Sequence, residues 1–176
     1  MSTMRTLVLD PASAGLTPLL ERRRRRGLDH GDEVWEGVLH VNATGSHAHA
    51  SVIQQLAELL GPAARAAGLE PTLEFNIGVE DNHRVPDGGL HRPPSASMWH
   101  PTAALVVEVV SPGDETWEKL GFYAAHAVDE VLIVDPQRQS VDWLALSDGH
   151  YHAIERSGLI DLGVIDLLAR IDWPAI

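Results

Sequence analysis

The clearest hydrophobic signal in the chain is Ala103 to Val110, an apolar run interrupted only by Glu108 and bounded by His-Pro before and Ser-Pro-Gly after. Such a run reads as a strand buried on both faces. Val52, Leu56, Leu59, Leu60 and Ala63 form an i, i+4, i+7, i+8 stripe. It predicts the main helix over Ser46–Ala67, kinked or broken at Gly61-Pro62 and stopped by Gly68. Thr17, as cap, and Pro18 open a short helix that runs through the arginines to Gly27. Glu33–Val41 (EVWEGVLHV) partly alternates around Glu36-Gly37 and predicts a strand or hairpin. Pro71–Val79 alternates as a strand, and Arg84–Leu90 is a second extended segment carrying Asp87. The link RPPSASMWHP reads as an exposed loop. Ser111, with Pro112 after it and Asp114 three on, predicts a capped helix reaching about Ala127. A strand at Val128–Val134 is closed by Asp135-Pro136. A hairpin follows, from Val141–Leu146 through Ser147–Gly149 to Tyr151–Ile154. Leu159–Leu168 is a short end piece. The order predicts a mixed α/β domain with one central sheet, covering 16–176 behind a loosely ordered lead-in at 1–15.

Composition narrows the chemistry. The 176 residues suit one domain with a real core, and 44% hydrophobic with 22% charged residues is the balance of a globular chain, not a disordered one. With no cysteine, disulfides, thiolate metal sites and Cys nucleophiles are excluded. No apolar run approaches the roughly 20 residues that span a bilayer. The N-terminus carries no signal-peptide pattern, so the expectation is a cytoplasmic protein with no membrane partner. The net charge of −12 would on average repel nucleic-acid phosphates. A nucleic-acid role therefore needs a local basic patch or a metal-loaded site. Arg22–Arg26 is either such a patch or, as charge runs usually are, a solvated helix face.

A carboxylate in a buried strand loses hydration worth several kcal/mol unless a cation or donors replace the water. Glu108 thus faces either one of the twelve arginines or a metal. Lys119 is the only lysine in the chain. A lysine keeps a compact, movable charge that a guanidinium fork does not reproduce, although a lone lysine is also an ordinary surface residue. Asp87, within Pro-Asp-Gly-Gly, is a turn residue by composition. Acids on neighbouring strands with a lysine nearby are also what metal-dependent phosphodiester hydrolysis requires. Two carboxylates hold Mg²⁺, and a lysine orients water or stabilises the oxyanion. His47-x-His49 hints at zinc but lacks a third ligand at a recognisable spacing. His91, His100, His126, His150 and His152 read as surface or turn residues. Trp117, Leu120 and Tyr123 read as the core face of the lysine helix.

The order Pro86-Asp87, then LVVEVVSP, EKLGFY and VDEVLIVDP resembles the Uma-type putative restriction endonucleases, a branch of the PD-(D/E)XK nuclease superfamily. The matching positions are Glu108, Val109, Ser111, Pro112, Lys119, Tyr123, Val128, Glu130, Val134, Asp135 and Pro136. Glu33 and Gly37 match an upstream hairpin, and His49 a helix start; the resemblance spans roughly residues 30–170. It implies a restriction-endonuclease-like fold, with a central mixed β-sheet flanked by helices. It further implies Asp87 and Glu108 as metal ligands for Mg²⁺ (or Mn²⁺), Lys119 as catalytic lysine, and Glu33 or Glu36 as accessory acid. His49 would line the cleft. DNA would be the substrate and a homodimer the assembly. The chain departs from the superfamily pattern in placing Val110, not lysine, two residues after Glu108; Lys119 lies 11 residues after it. The alternative is a catalytically eroded module of the same fold, kept for assembly or partner binding.

Overall fold

The computed structural model describes residues 7–9, 16–42, 45–94, 96–113 and 115–175, with only the backbone for 7–9. The first elements are strand β1 (Leu7–Leu9), which falls inside the expected lead-in, and helix α1 (Thr17–Arg25). Pro18 enters the first turn of α1, but the capping position is Leu16, not Thr17, and no side chain caps it. The hairpin forms as β2 (Glu33–Trp35) and β3 (Val38–Val41). It turns through Glu36 and Gly37 at φ 51° and 86°. Two successive left-handed residues match the twist of the flanking strands, and glycine takes the second position without steric cost.

Helix α2 (His47–Ala66) is capped by the Ser46 hydroxyl, which accepts from the His49 amide at 3.2 Å. It passes through Gly61-Pro62 as one helix, because its apolar face stays buried on both sides of the proline at Val52, Leu56, Leu60 and Ala64. The strand expected over 71–79 divides into β4 (Glu70–Leu73) and β5 (Asn76–Val79), which belong to different sheets. Alternation continues across the break, so the pattern alone does not register the change of sheet. The extended segment after it likewise divides into β6 (Asn82–Arg84) and β7 (Gly88–His91), leaving Asp87 in the connection. β8 (Trp99–His100) draws the end of the expected loop into pairing with β5.

β9 (Leu105–Val109) is buried at every position, as its apolar run demands. The helix expected from Ser111 starts later, as a 3-10 turn at Trp117–Lys119 leading into α3 (Leu120–Ala125). Asp114, part of the expected capping pattern, lies outside the described residues. The chain ends with β10 (Glu130–Asp135), β11 (Ser140–Ser147), β12 (His150–Ala153) and α4 (Val164–Arg170). Asp135 ends its strand as expected, its Oδ1 accepting from the amides of Gln137 and Arg138 at 2.8 and 3.0 Å.

The α/β class with a central mixed sheet flanked by helices is what forms, but with two sheets where one was expected. The order of the central sheet is β12-β11-β10-β9-β7-β4, and a second six-stranded sheet, β1-β3-β2-β6-β5-β8, accompanies it. β9 runs parallel to β10 and antiparallel to β7. Side chains alternate across β9. Leu105, Val107 and Val109 pack with Val52, Leu56, Leu60 of α2 and Leu167 of α4. Val106 packs on the other face with Tyr123 of α3, Ile77 of β5 and Ile133. That second face is where Glu108 points.

His91 is a correction to the sequence reading: it is 4% exposed, against Phe75 at 4.3 Å and His100 at 4.3 Å, and its Nε2 has no hydrogen-bond partner. Burial, reinforced by His100, pushes its pKa down to about 4. An unfolded chain takes up this proton below about 6.5, the folded chain only near 4. The stability His91 contributes is therefore fully present above pH 6.5 and is lost as pH falls through 4. We expect a loss of roughly 1–2 kcal/mol from this residue, discounted for solvent screening, in urea unfolding across that window. His91→Phe should remove that part of the slope; an unchanged slope would contradict it.

Candidate active site

Glu108 emerges on the face of the central sheet covered by the 3-10 turn and α3. Lys119 and Tyr123, four residues apart there, both reach it. Lys119 Nζ donates to the two Glu108 oxygens at 3.1 and 3.3 Å, and the Tyr123 hydroxyl donates to Oε1. The same ammonium lies 2.9 Å from Glu33 Oε1 of β2. Glu33 is 1% exposed. Its Oε1 also accepts from the Val85 amide at 2.9 Å, and its Oε2 from Trp35 Nε1 at 2.7 Å.

Asp87 arrives by strand register. β7 pairs Gly88 with Val107, and one step further brings Asp87 beside Glu108. Its Oδ2 accepts from the Val109 amide at 2.7 Å, and its Oδ1 lies 3.1 Å from His49 Nε2. The far side of that ring, Nδ1, lies 2.9 Å from Ser111 Oγ. Glu33, His49, Asp87, Glu108, Ser111 and Lys119 line one cavity of about 460 Å³.

Asp87, Glu108, Lys119, Glu33 and His49 are thus brought together. Glu36 is not. It sits at the exposed tip of the β2–β3 turn, where its backbone amide donates to Asn82 Oδ1 at 3.2 Å, and it is not among the cavity residues. Strand alternation explains the difference: Glu33 points inward from β2, while three residues later the chain is already reversing. Trp117 is also exposed, at 46%, because the shortened helix leaves it on the outer side of the 3-10 turn.

Burial drives the Glu108 pKa up to about 7, with Lys119 opposing the rise and the Asp87 and Glu33 carboxylates adding to it. Burial alone would strip the proton from Lys119, but Glu108 and Glu33 outweigh it and hold the amine above its ordinary range. Tyr123 is likewise pushed well above its usual value, by burial and then by Glu108 and Glu33, so it remains a donor. Three carboxylates against one ammonium leave the site with excess negative charge. Its hard oxygen donors, Asp87 and Glu108 above all, are of the type that suits a small divalent cation. Among the described residues no group of three or more His, Asp or Glu side chains is placed to hold a metal ion, so His47 and His49 gain no third ligand for zinc.

Comparison with known proteins supplies the family. The Uma2 family model, described as a putative restriction endonuclease, matches residues 22–164. The chain belongs to the Uma2 family. No curated protein matches it. Among solved structures, a putative nuclease belonging to DUF820 from Anabaena variabilis ATCC 29413 superposes with a TM-score of 0.64 at 14% identity, over 78% of this chain and 89% of that one. It shares the restriction-endonuclease-like fold. A DrdV–DNA complex gives a TM-score of 0.42 at 16% identity over 84% of this chain and 13% of that one, too low to bear on the fold.

Within this Uma2 chain, a third buried strand carboxylate, besides Glu33 and Glu108, behaves differently. Glu130, 4% exposed, accepts from Trp143 Nε1 at 2.9 Å, Ser157 Oγ at 2.7 Å and the Gly158 amide at 2.7 Å. Three neutral donors satisfy it, and it pins the loop at 157–158. Two contributors to the site escape a reading of the sequence. Tyr123 is indistinguishable from core on its helical stripe, although its spacing from Lys119 is a usable signal. Ser111 reads as a helix cap, and nothing in the sequence points it at His49.

Tyr123→Phe removes only the hydroxyl that meets Glu108. It should cost about 1.5–3 kcal/mol in urea unfolding, the range for a hydrogen bond to a charged group. Trp117→Ala, at an exposed site, should cost far less. Equal stabilities for Tyr123→Phe and wild type would show that the Tyr123–Glu108 bond contributes nothing.

Proposed function

We propose that this chain is a divalent-metal-dependent endonuclease that hydrolyses phosphodiester bonds of DNA. The observation that carries the proposal is the convergence of Asp87, Glu108 and Lys119 from three separate elements on one cavity. A bound Mg²⁺, or Mn²⁺ in its place, supplies a lowered water pKa and neutralises charge on the phosphate. Asp87 and Glu108 would hold it. Ser111 braces the His49 ring that faces Asp87 Oδ1, and the Val109 amide donates to Oδ2. Tyr123 orients Glu108 in the same way.

Glu108 and Glu33 hold the Lys119 amine in its protonated form, and as a cation it is suited to donate toward the scissile phosphate. Glu33 keeps that ammonium on the cavity side of α3. The reaction is attack of water on phosphorus with departure of one ester oxygen. The second reading, a module of the same fold that binds a partner without cleavage, draws on the net charge of −12, which disfavours contact with phosphates.

Supercoiled plasmid and single-stranded DNA, incubated with and without Mn²⁺, test the proposal. Wild type should nick only with metal. Lys119→Ala should lose at least a hundredfold of the rate, as for removal of a single oxyanion-type donor. Lys119→Arg should rescue poorly, because the planar fork does not replace a point charge between two carboxylates. Metal-dependent nicking that survives Lys119→Ala would remove the lysine from the mechanism. No cleavage by either protein across metals and salt would favour the binding module.

A further inference from the structure

Five of the thirteen Lys and Arg residues stand in one run, Arg22–Arg26, on a chain of net charge −12. In the fold they occupy the C-terminal half of α1 and its end, and α1 contributes no buried side chain. Within the run, Arg23 is the residue committed to structure. Its guanidinium donates to Asp32 Oδ1 at 2.8 Å and to the Leu28 carbonyl at 2.5 Å, tying α1 to the loop that follows. Arg24 and Arg25 are 83% and 69% exposed, in long ion pairs with Asp29 (3.9 Å) and Glu21 (3.7 Å). Such exposed pairs hold little energy and exchange easily for another anion. Arg22 and Arg26 are exposed and make no ion pair among the described residues.

The loop that Arg23 anchors is the rim of the candidate active site. Gly27, Leu28, His30, Gly31 and Asp32 line the same cavity as Asp87, Glu108 and Lys119. The rim is fixed to the second sheet by Asn42 Nδ2 donating to the Gly31 carbonyl at 2.9 Å and by His83 Nε2 at 3.2 Å from the Asp32 carbonyl. A pinned loop therefore joins the rim of an acidic cavity, at Gly27, to the end of a helix that carries exposed guanidinium groups. An acidic interior repels a polyanion, and a concentrated cationic rim is the feature that offsets this.

We infer that Arg22, Arg24, Arg25 and Arg26 form a phosphate clamp that grips the backbone of duplex DNA beside the cavity and sets the approach of the scissile bond. This rests on the reading of the chain as a DNA nuclease. The guanidinium forks suit phosphate oxygens, and interactions of this kind position DNA without reading its sequence. Arg23 is a positioning residue that holds the clamp to the rim.

The test is binding of a short fluorescein-labelled DNA duplex, read by anisotropy over a range of NaCl concentrations, in EDTA and again in Mn²⁺. The proteins are wild type, R22Q/R24Q/R25Q/R26Q, the corresponding fourfold Lys variant, R22Q/R26Q, and R138Q/R170Q as a control that removes the same two charges as R22Q/R26Q. The fourfold Gln variant should bind more weakly. Its slope of log affinity against log salt should be shallower by roughly 3–4, since each phosphate that is no longer neutralised takes away about 0.9. The Lys variant should recover most of that slope, and the control should match wild type. If the fourfold variant fails to fold by circular dichroism, R22Q/R26Q, which breaks no ion pair among the described residues, should lower the slope by roughly half as much. Wild type and the Gln variant sharing one slope would overturn the clamp and leave the nuclease reading standing. No DNA binding by wild type in either condition would overturn both.

Discussion

The Lys119 ammonium, held between Glu33 and Glu108, is the interaction on which the site depends. Two nearly buried carboxylates 2.9 and 3.1 Å from one cation would repel each other strongly if the cation were removed. A buried charge left without its partner costs roughly 3–5 kcal/mol. The lysine therefore has a structural and a chemical role at once. It fastens β2 of the second sheet to β9 of the central sheet through the turn ahead of α3. It also opposes the burial that favours the neutral form of Glu108. The rise of Glu108 to about 7 shows how close that balance is.

Around this cation the site is built by ordinary strand geometry. Alternation along β9 sends Val107 and Val109 to α2 and Glu108 to the lysine, while the β7–β9 register delivers Asp87 alongside. His49 at the start of α2 and Ser111 after β9 then brace Asp87 from the opposite side. The site thus draws on the helices of both faces and on both sheets, which is why its members are spread along the sequence from Glu33 to Tyr123. Glu130, on the neighbouring strand, shows the contrasting solution. A buried carboxylate ringed by neutral donors fixes a loop and offers nothing to a ligand.

Much of this is legible in the sequence wherever one residue breaks a strong pattern. Glu108 inside an apolar strand announces a partner, but the pattern points to an arginine or a metal, whereas the cation that meets it is the single lysine, 11 positions and a turn away. The hairpin at Glu36-Gly37, the stripe of α2 and the buried run of β9 follow directly from periodicity and turn chemistry. The failures share a cause. The division of 71–79 between two sheets, the late start of α3 and the burial of His91 are decided by tertiary packing, which overrides a local pattern that stays continuous. Glu33 and Glu36 are equivalent in the sequence because only the turn position, fixed by two left-handed residues, separates an inward side chain from an exposed one.

If the excess negative charge beside Lys119 is a seat for a divalent cation, the purified chain must bind one. Titration of Mn²⁺, followed by loss of the free-ion electron paramagnetic resonance signal, tests this most directly. Saturable binding is expected in wild type, lost in Asp87→Asn and in Glu108→Gln and retained in Trp117→Ala. Binding that both carboxylate variants keep, or no binding in wild type at millimolar Mn²⁺, would contradict it.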